Sequence, residues 1–369
     1  MDGKVVYYRI YDAGGMIDID KLKFKTSDTL DQLQISIQSS IPPYISIPPL
    51  CIIKTPAKII ETSTGKTKIE PLVKVFSIGV ISIQISIDFE NITFEELNKY
   101  CNPKIKIKDN FENIDVIFNE ILSEVNKKIK NSLYDLYEVS VTHETYTVFC
   151  FSKVGDILIK DFLTTNRKKI AGILTLRESE PMLSDKEIND ILESYFSYEQ
   201  NDFVIMDWDS AIIVNPNKKF EDILLVLEIS NLMLLELRTY DSYLNQILKD
   251  SYKDIDLFYS KKLRYKTAKD TIKDIITTRI DLLRMTDVLT NTTKFIGEWY
   301  LAKLYDSCAE KFHLIEWEKN ISRKLSTLNE LYMVLNNALH DRKMLILEFS
   351  IVLLFIVDLL VLVLTLFLL

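Results

Sequence analysis

Two aspartates in the segment NDFVIMDWDSAIIVNP (201–216) are the residues whose type and spacing most resemble a chemical site. Asp207 and Asp209 are two positions apart, and such residues project from one face of a strand. Paired carboxylates can hold Mg²⁺ or Mn²⁺, and Glu228 would supply a third ligand for metal-assisted hydrolysis. Because no third ligand is close in sequence, we favour turn bonding and helix capping for the two aspartates. The metal site is a secondary hypothesis.

A basic run follows in the helical part of the chain. Its cations are interleaved with tyrosines, so the run could contact phosphates or anionic lipid headgroups. The structural alternative is a solvated helix face. In the metal hypothesis, the same run would hold the phosphate of a substrate. The residues concerned are Lys261, Lys262, Arg264 and Lys266.

The sequence gives little support for a zinc site or a phosphate-binding loop. The four cysteines have no paired spacing and the three histidines are far apart, which argues against zinc. Gly65, Lys66 and Thr67 resemble the end of a phosphate-binding loop, but Ile60 stands where that motif needs a glycine. Strand-forming residues flank them, so we predict a β-hairpin. We expect no cofactor and favour a protein that is not an enzyme.

The carboxy-terminal segment FSIVLLFIVDLLVLVLTLFLL (349–369) predicts a membrane anchor. Its 21 residues match the roughly 20 that a helix needs to cross the hydrocarbon core. Asp358 would cost about 2.5–3.5 kcal/mol there, but eighteen apolar residues at about 0.3–0.6 kcal/mol each outweigh it. An acid in a membrane commonly faces a helix partner. We therefore predict helix association through Asp358 and Thr365, which share one face.

Charge near the anchor predicts its orientation. Arg342 and Lys343 precede the span, so the positive-inside rule places the amino-terminal part in the cytoplasm of a single-pass cell-membrane protein. The amino terminus lacks the long apolar run of a secretory signal. A net charge of −8 argues against dedicated DNA binding, although a local basic face is compatible with it.

The pattern of elements predicts an α+β fold. Alternating apolar residues and Gly/Pro turns indicate a mixed, mostly antiparallel amino-terminal sheet with helices. A helical domain follows and ends in one transmembrane helix. We assign residues 1–216 to a cytoplasmic α+β domain, 217–313 to a helical domain, 314–343 to a heptad stem and 344–369 to the anchor. The strongest strand signal is 73–87, with Gly79 as a bulge or a point of close approach.

The stem shows apolar spacings of three and four. This pattern is typical of a short coiled coil or an antiparallel helical hairpin. Without a Pro or Gly after Gly297, one helix could run from about Glu316 through the membrane, roughly 80 Å at 1.5 Å per residue. Stem association would use Ile321, Leu325, Leu328, Tyr332, Leu335 and Leu339.

Three segments together resemble the "required for meiotic nuclear division" family. They are VFSIGVISI (75–83), GEWYLAKLY (297–305) and DRKMLILEFSIVLLFIVDLL (341–360). In the first, Phe76 and Gly79 match the family's aromatic and glycine. In the last, Glu348 and Phe349 match its entry into the membrane, although Phe349 stands where tryptophan is usual, and Asp358 where glutamate is usual. The segment between Tyr300 and the stem is also shorter. The match spans about 70–369 and suggests a divergent prokaryotic relative.

The resemblance implies architecture rather than chemistry. Members have a mixed α/β amino-terminal part, a helical middle and one carboxy-terminal membrane helix. Eukaryotic members sit on the inner mitochondrial membrane and support translation there as tethers, with no agreed catalytic residues. The resemblance thus implies a partner such as the ribosome or another cytoplasmic complex.

Three hypotheses result. The leading one is a membrane-tethered, non-enzymatic scaffold or adaptor that forms a homo-oligomer, contacts the lipid bilayer and docks a partner such as the translation machinery. The alternative is a metal-dependent hydrolase or nuclease at the membrane surface. A ligand sensor that signals along the stem is a third class, which the sequence does not separate from the first.

Overall fold

The computed structural model describes residues 1–25, 48–62, 64–107, 110–134, 136, 143–154, 159–177, 183–197, 199, 201–259, 276 and 299–368. The strands are β1 (Asp2–Asp12), β2 (Met16–Ile17), β3 (Leu50–Lys54), β4 (Lys58–Thr62), β5 (Gly65–Ile69), β6 (Leu72–Phe76), β7 (Val80–Phe89), β8 (Lys104–Ile107), β9 (Asn110–Asn113), β10 (Leu133–Tyr134), β11 (His143–Lys153), β12 (Tyr195–Phe196), β13 (Phe203–Met206) and β14 (Ser210–Val214). The α-helices are α1 (Ile19–Lys25), α2 (Phe94–Leu97), α3 (Asp115–Ile129), α4 (Ile159–Thr165), α5 (Arg167–Leu174), α6 (Asp185–Glu193), α7 (Glu221–Tyr259), α8 (Trp299–Lys311) and α9 (Leu314–Leu368).

The predicted α+β class is confirmed. A mixed, mostly antiparallel sheet with helices comes first, and a helical region ending in a long apolar helix follows. The chain forms two compact units. Unit 1 comprises Met1–Thr239 and Met285–Glu318, and unit 2 comprises Tyr240–Arg284 and Lys319–Leu369. Each unit consists of two separate segments of the chain. The division into four consecutive segments that the sequence suggested stays a prediction.

The main sheet of unit 1 has eight strands in the order β12-β13-β14-β11-β1-β7-β6-β3. Its pairs are antiparallel except for β11 with β14, which run parallel. The long central strand β1 pairs with both β11 and β7, so that Val6 lies opposite Val148 on one side and Ser86 on the other. Its consecutive residues Val5 to Tyr8 are β-branched or aromatic and are all buried, as suits a strand that is covered on both faces.

Helices cover both faces of this sheet. Val5 and Tyr7 of β1 belong to a core that Ile117 and Phe118 of α3 complete. The opposite face carries Ile10 of β1, and the polar Ser82 of β7 lies on the same face because it pairs directly with Ile10. Helix α7 packs there, since Glu228 bonds to Ser82. Helix α8 packs on the same face, since Cys308 contacts Met206, so unit 1 is layered as helices, sheet and helices.

The segment 73–87 is not one strand, as its pattern suggested. It forms a hairpin in which β6 and β7 pair antiparallel, with Val75 opposite Ile81. Gly79 in the turn has φ +98°, which favours glycine. A Cβ at this position would lie 2.2 Å from the carbonyl oxygen of Gly15, so the expected close approach is confirmed.

A smaller sheet in unit 1 has the order β5-β4-β8-β9. Strands β4 and β5 form the predicted hairpin, with Thr62 opposite Gly65. The inner face of the sheet places Ile60, Ile69 and Ile105 in the same core as Val5. Its opposite face carries exposed side chains.

In unit 2 the end of α7 packs on α9. Lys324 contacts Asp241 at 2.5 Å, and Ile255 packs against Leu335 and Leu339. Residue numbers rise together along both helices, so these helices run in the same direction. The contact between them thus differs from the antiparallel hairpin that the heptad pattern also allowed.

Candidate functional site

Asp207 and Asp209 flank the tight turn between β13 and β14. The backbone N–H of Asp207 donates to the Ser210 carbonyl at 2.7 Å and closes this turn. The Lys311 ammonium, at the end of α8, lies 3.0 Å from an Asp207 carboxylate oxygen. Both side chains are about four-fifths buried, which strengthens the attraction relative to a surface pair. Asp207 therefore already has a cation.

A second ion pair lies beside this turn. Arg238 of α7 bonds to the Glu144 carboxylate at the start of β11. Burial raises the pKa of Glu144, although Arg238 opposes the shift. Burial also raises the pKa of Asp209, and the charge of Asp207 adds to it. Three carboxylates and two cations thus form one charged cluster in unit 1.

Aromatic side chains pack against this charged cluster at the corner between α8 and α9. Trp208 meets the Phe312 ring edge-on with centroids 6.0 Å apart, and its ring lies 6.0 Å from that of His313. The Tyr146 hydroxyl lies 2.9 Å from the Ser210 carbonyl oxygen, to which it donates. His313 has φ +53°, so the chain turns sharply before α9 begins. The cluster therefore holds the start of α9 against the sheet.

Glu228 lies in a different place. Its carboxylate accepts from Lys74 and, at 2.6 Å, from the Ser82 hydroxyl. Strands β11 and β1 lie between β14 and β7, and three strand spacings amount to about 14 Å. Metal ligands lie about 2.0–2.6 Å from their ion. The structure therefore does not bring Glu228 to the two aspartates.

The geometry offers little for metal chemistry. Within the ranges given above, no group of three or more His, Cys, Asp and Glu side chains is arranged to hold an ion. A metal at Asp207 would have to displace Lys311, and one at Glu228 would have to displace Lys74. Both arrangements are typical of structural ion pairs.

The heptad residues of the stem are covered within unit 2. Ile321, Leu328, Leu335 and Leu339 are buried, whereas Leu325 and Tyr332 are half-buried. Ile255 of α7 supplies part of that cover. The pattern is thus satisfied within one chain, so a second copy could use these residues only after this packing opens.

The two residues predicted for membrane-helix association lie in the described part of α9, whereas the basic run does not lie in a described part of the chain. Asp358 and Thr365 are exposed on the apolar half of α9, and the Thr365 hydroxyl donates to the Leu362 carbonyl at 2.8 Å. The basic run of Lys261, Lys262, Arg264 and Lys266 lies outside the described residues.

Sequence reasoning missed the cations of all three ion pairs, and it also missed Glu144. Lys74 had a usable signal, because it interrupts the apolar run of strand 72–76. A lysine on a buried strand face needs a carboxylate partner, and Glu228 in an apolar helix needs a cation. Arg238, Lys311 and Glu144 carry no comparable local signal.

Helix α9 contains the one candidate membrane span of the described chain. Its apolar part reaches a mean hydropathy of 2.8 over 18 residues, and none of that window is buried. Length and composition therefore allow it to cross a membrane. The fold and this helix define an α+β protein with a carboxy-terminal membrane-span candidate.

The chain belongs to the family described as "Uncharacterized protein MJ0711, N-terminal domain", which residues 2–221 match. The match runs from β1 to the first residue of α7. Uncharacterized protein MJ0711 of Methanocaldococcus jannaschii is 27% identical over 300 residues, covering 81% of this chain and 83% of that protein. This alignment is longer than the matched domain, so the similarity extends into the helical part. The resemblance to the meiotic nuclear division family stays a prediction.

Proposed function

We propose that the protein is a membrane-tethered, non-enzymatic adaptor whose α9 anchors it in the bilayer. The observation that carries this proposal is the exposed apolar half of α9. Each of the residues 351–357 is at least 46% exposed, and none of them is polar. A soluble protein rarely leaves such a contiguous surface to water. A hydrocarbon phase is the environment that suits it.

The proposed site of the anchor is the cell membrane, with unit 1 in the cytoplasm. Arg342 and Lys343 lie just before the apolar half of α9, where a positive-inside arrangement places cytoplasmic residues. Unit 1 would then meet cytoplasmic partners, and the translation machinery is the candidate that the family resemblance suggests.

Self-association would take place in the membrane rather than in the stem. The heptad residues of the stem have cover within unit 2, as Leu335 and Leu339 show. Asp358 is exposed within an apolar helix, and a carboxyl group in lipid gains most from a polar neighbour on another helix. A second copy of α9 would offer that neighbour.

Extraction of membranes with alkaline carbonate tests the anchor. We expect the full-length protein to stay in the membrane pellet. Leu354→Lys with Leu360→Lys should release it, because each lysine costs about 2.5–3.5 kcal/mol and replaces a favourable leucine. Leu354→Ile with Leu360→Ile is the matched control and should stay in the pellet. Wild-type protein in the supernatant would refute the anchor.

Cross-linking in membranes tests the association through Asp358. We expect cross-linked oligomers to decrease in Asp358→Leu, which removes hydrogen bonding, and to persist in Asp358→Asn, which keeps it. Equal cross-linking in all three proteins would exclude this role for Asp358 while leaving the anchor untouched.

A further inference from the structure

We propose that the outer face of the four-stranded sheet β5-β4-β8-β9 binds single-stranded RNA. This inference names the chemical class of partner for the proposed adaptor. It rests on the proposed adaptor function only in placing the protein at the membrane surface. The surface, called the basic sheet face below, is formed by Ile59, Glu61, Lys66, Lys68, Lys104, Lys106, Phe111 and Asn113.

The strand register shows that these side chains share one face. Residues that pair directly across an antiparallel ladder project to the same side. The pairs on the basic sheet face are Ile59 with Lys68, Glu61 with Lys66, Lys106 with Phe111, and Lys104 with Asn113. A contact of 3.6 Å between Lys106 and Glu61 joins the two hairpins on this side. The alternate residues, such as Ile60 and Ile105, point into the core.

The charge of the basic sheet face is opposite to that of the whole chain. Four exposed lysines stand on two strands, β5 and β8, on either side of β4, while the protein carries a net charge of −8. Glu61 is the one acid among the eight residues of the face, and Glu70, which follows β5, bonds to Lys68 at 2.5 Å. Cations are therefore in excess here. Closely spaced lysines on an otherwise acidic protein favour a polyanion at this face.

Two large apolar side chains are exposed beside these lysines. Ile59 is 76% exposed and Phe111 is 53% exposed. Each lies directly opposite a lysine, Lys68 for Ile59 and Lys106 for Phe111. An aromatic ring next to a cation suits a nucleotide, because the base can stack on the ring while its phosphate meets the ammonium group.

The same observations favour a single strand over a duplex or a lipid surface. The bases of a duplex are already stacked on one another, so Phe111 would have no free base to contact. The two apolar residues lie within strands rather than at a loop tip, and each has a lysine directly opposite it on a neighbouring strand. This arrangement matches an alternating polymer of bases and phosphates better than a continuous layer of headgroups.

Fluorescence anisotropy with a labelled oligouridine tests the inference. The full-length protein would be held in nanodiscs of phosphatidylcholine, with a self-complementary RNA duplex as a second probe. We expect Phe111→Ala to weaken oligouridine binding by about 5- to 150-fold, the range of one lost base stack. Lys66→Gln with Lys106→Gln should lower the salt dependence of log K by about 1.4, at about 0.7 for each lost phosphate contact.

Lys127→Gln with Lys128→Gln is the matched control, since both lysines are exposed on α3 outside the basic sheet face. It should bind oligouridine like the wild type, and circular dichroism should show every variant folded. Absence of oligouridine binding by the wild type would overturn the inference, as would equal losses in the control. Duplex binding as tight as oligouridine binding would overturn the stacking role of Phe111.

Phosphatidylglycerol vesicles, added to the protein in phosphatidylcholine nanodiscs, separate RNA from lipid. If the wild type binds these vesicles and Lys66→Gln with Lys106→Gln does not, while both proteins bind oligouridine equally, the face binds headgroups and the RNA inference is wrong. The carbonate extraction is independent of these results. A protein that stays in the membrane pellet but binds no RNA would retain the adaptor proposal and lose only its partner class.

Discussion

Replacing Lys74 with methionine would remove the cation from a carboxylate that has almost no contact with water. Glu228 is 1% exposed and Lys74 is 9% exposed, so neither water nor salt can replace the lost partner. Breaking a buried pair from one side costs about 3–5 kcal/mol, because an uncompensated charge stays behind. We expect Lys74→Met to lower the free energy of unfolding of unit 1 by this amount.

Two comparisons show whether the buried charge is the cause. Lys74→Met with Glu228→Leu removes both charges and should recover most of the loss. A remainder of about 1–3 kcal/mol is expected from the Ser82 hydroxyl, which then lacks its acceptor. Lys68→Met is the surface control. Lys68 and Glu70 are more than 60% exposed, so this change should cost at most about 1 kcal/mol.

Urea unfolding of the full-length protein in non-ionic micelles would measure these differences. Tryptophan fluorescence is a suitable signal, since all three tryptophans of the chain lie at 208, 299 and 317, within the limits of unit 1. If Lys74→Met costs no more than Lys68→Met, the pair contributes nothing beyond a surface contact. If the double variant is as unstable as the single one, packing rather than charge explains the effect.

Three further predictions concern the turn, the charged cluster and the orientation of the anchor. Gly79→Ala should destabilise unit 1 by at least about 2 kcal/mol in the same urea assay, through positive φ and a clash with the Gly15 carbonyl; a smaller loss would mean that the turn shifts freely. In the folded protein the pKa of the Asp209 carboxyl is raised above its ordinary value of 3.8. The protonated carboxyl therefore contributes stability that is fully present below pH 3.8 and is lost as the pH rises through the raised pKa. Asp209→Asn should therefore raise the melting temperature, relative to the wild type, more at about pH 7 than at about pH 4, and an equal effect at the two pH values would contradict the shift. Arg342→Gln with Lys343→Gln should yield a mixture of orientations, detected as partial protease protection of unit 1 in inside-out vesicles, whereas uniform orientation would show that other charges decide it.

The elements of the fold were largely predictable because their signals are local. The β-branched run in β1, the hairpin at Gly65 and the helix period of α3 each lie within a short stretch of chain. The exception is the segment 73–87, where an unbroken apolar pattern concealed a turn. Both arms of the hairpin are buried, so hydrophobicity did not mark the turn, and Gly79 was the remaining sign of it.

The candidate sites were predictable only in part because their partners are far apart in sequence. Asp207 and Asp209 were recognised from their spacing, but nothing near them indicated Lys311 or Arg238. The stem illustrates the same limit. Its heptads correctly predict an apolar helix stripe, yet a stripe does not specify whether a second copy or another helix of the same chain covers it.

The sequence by itself determined the fold class and an apolar terminal helix long enough to cross a membrane, since composition and period act over neighbouring residues. Tertiary structure alone decided which charges meet. Glu228 joined Lys74 rather than the aspartates because strand order in the main sheet separates them. The basic sheet face likewise depends on the register that brings Lys66, Lys106 and Phe111 to one side. Such pairings arise from hydrogen bonding between distant strands, which no local pattern encodes.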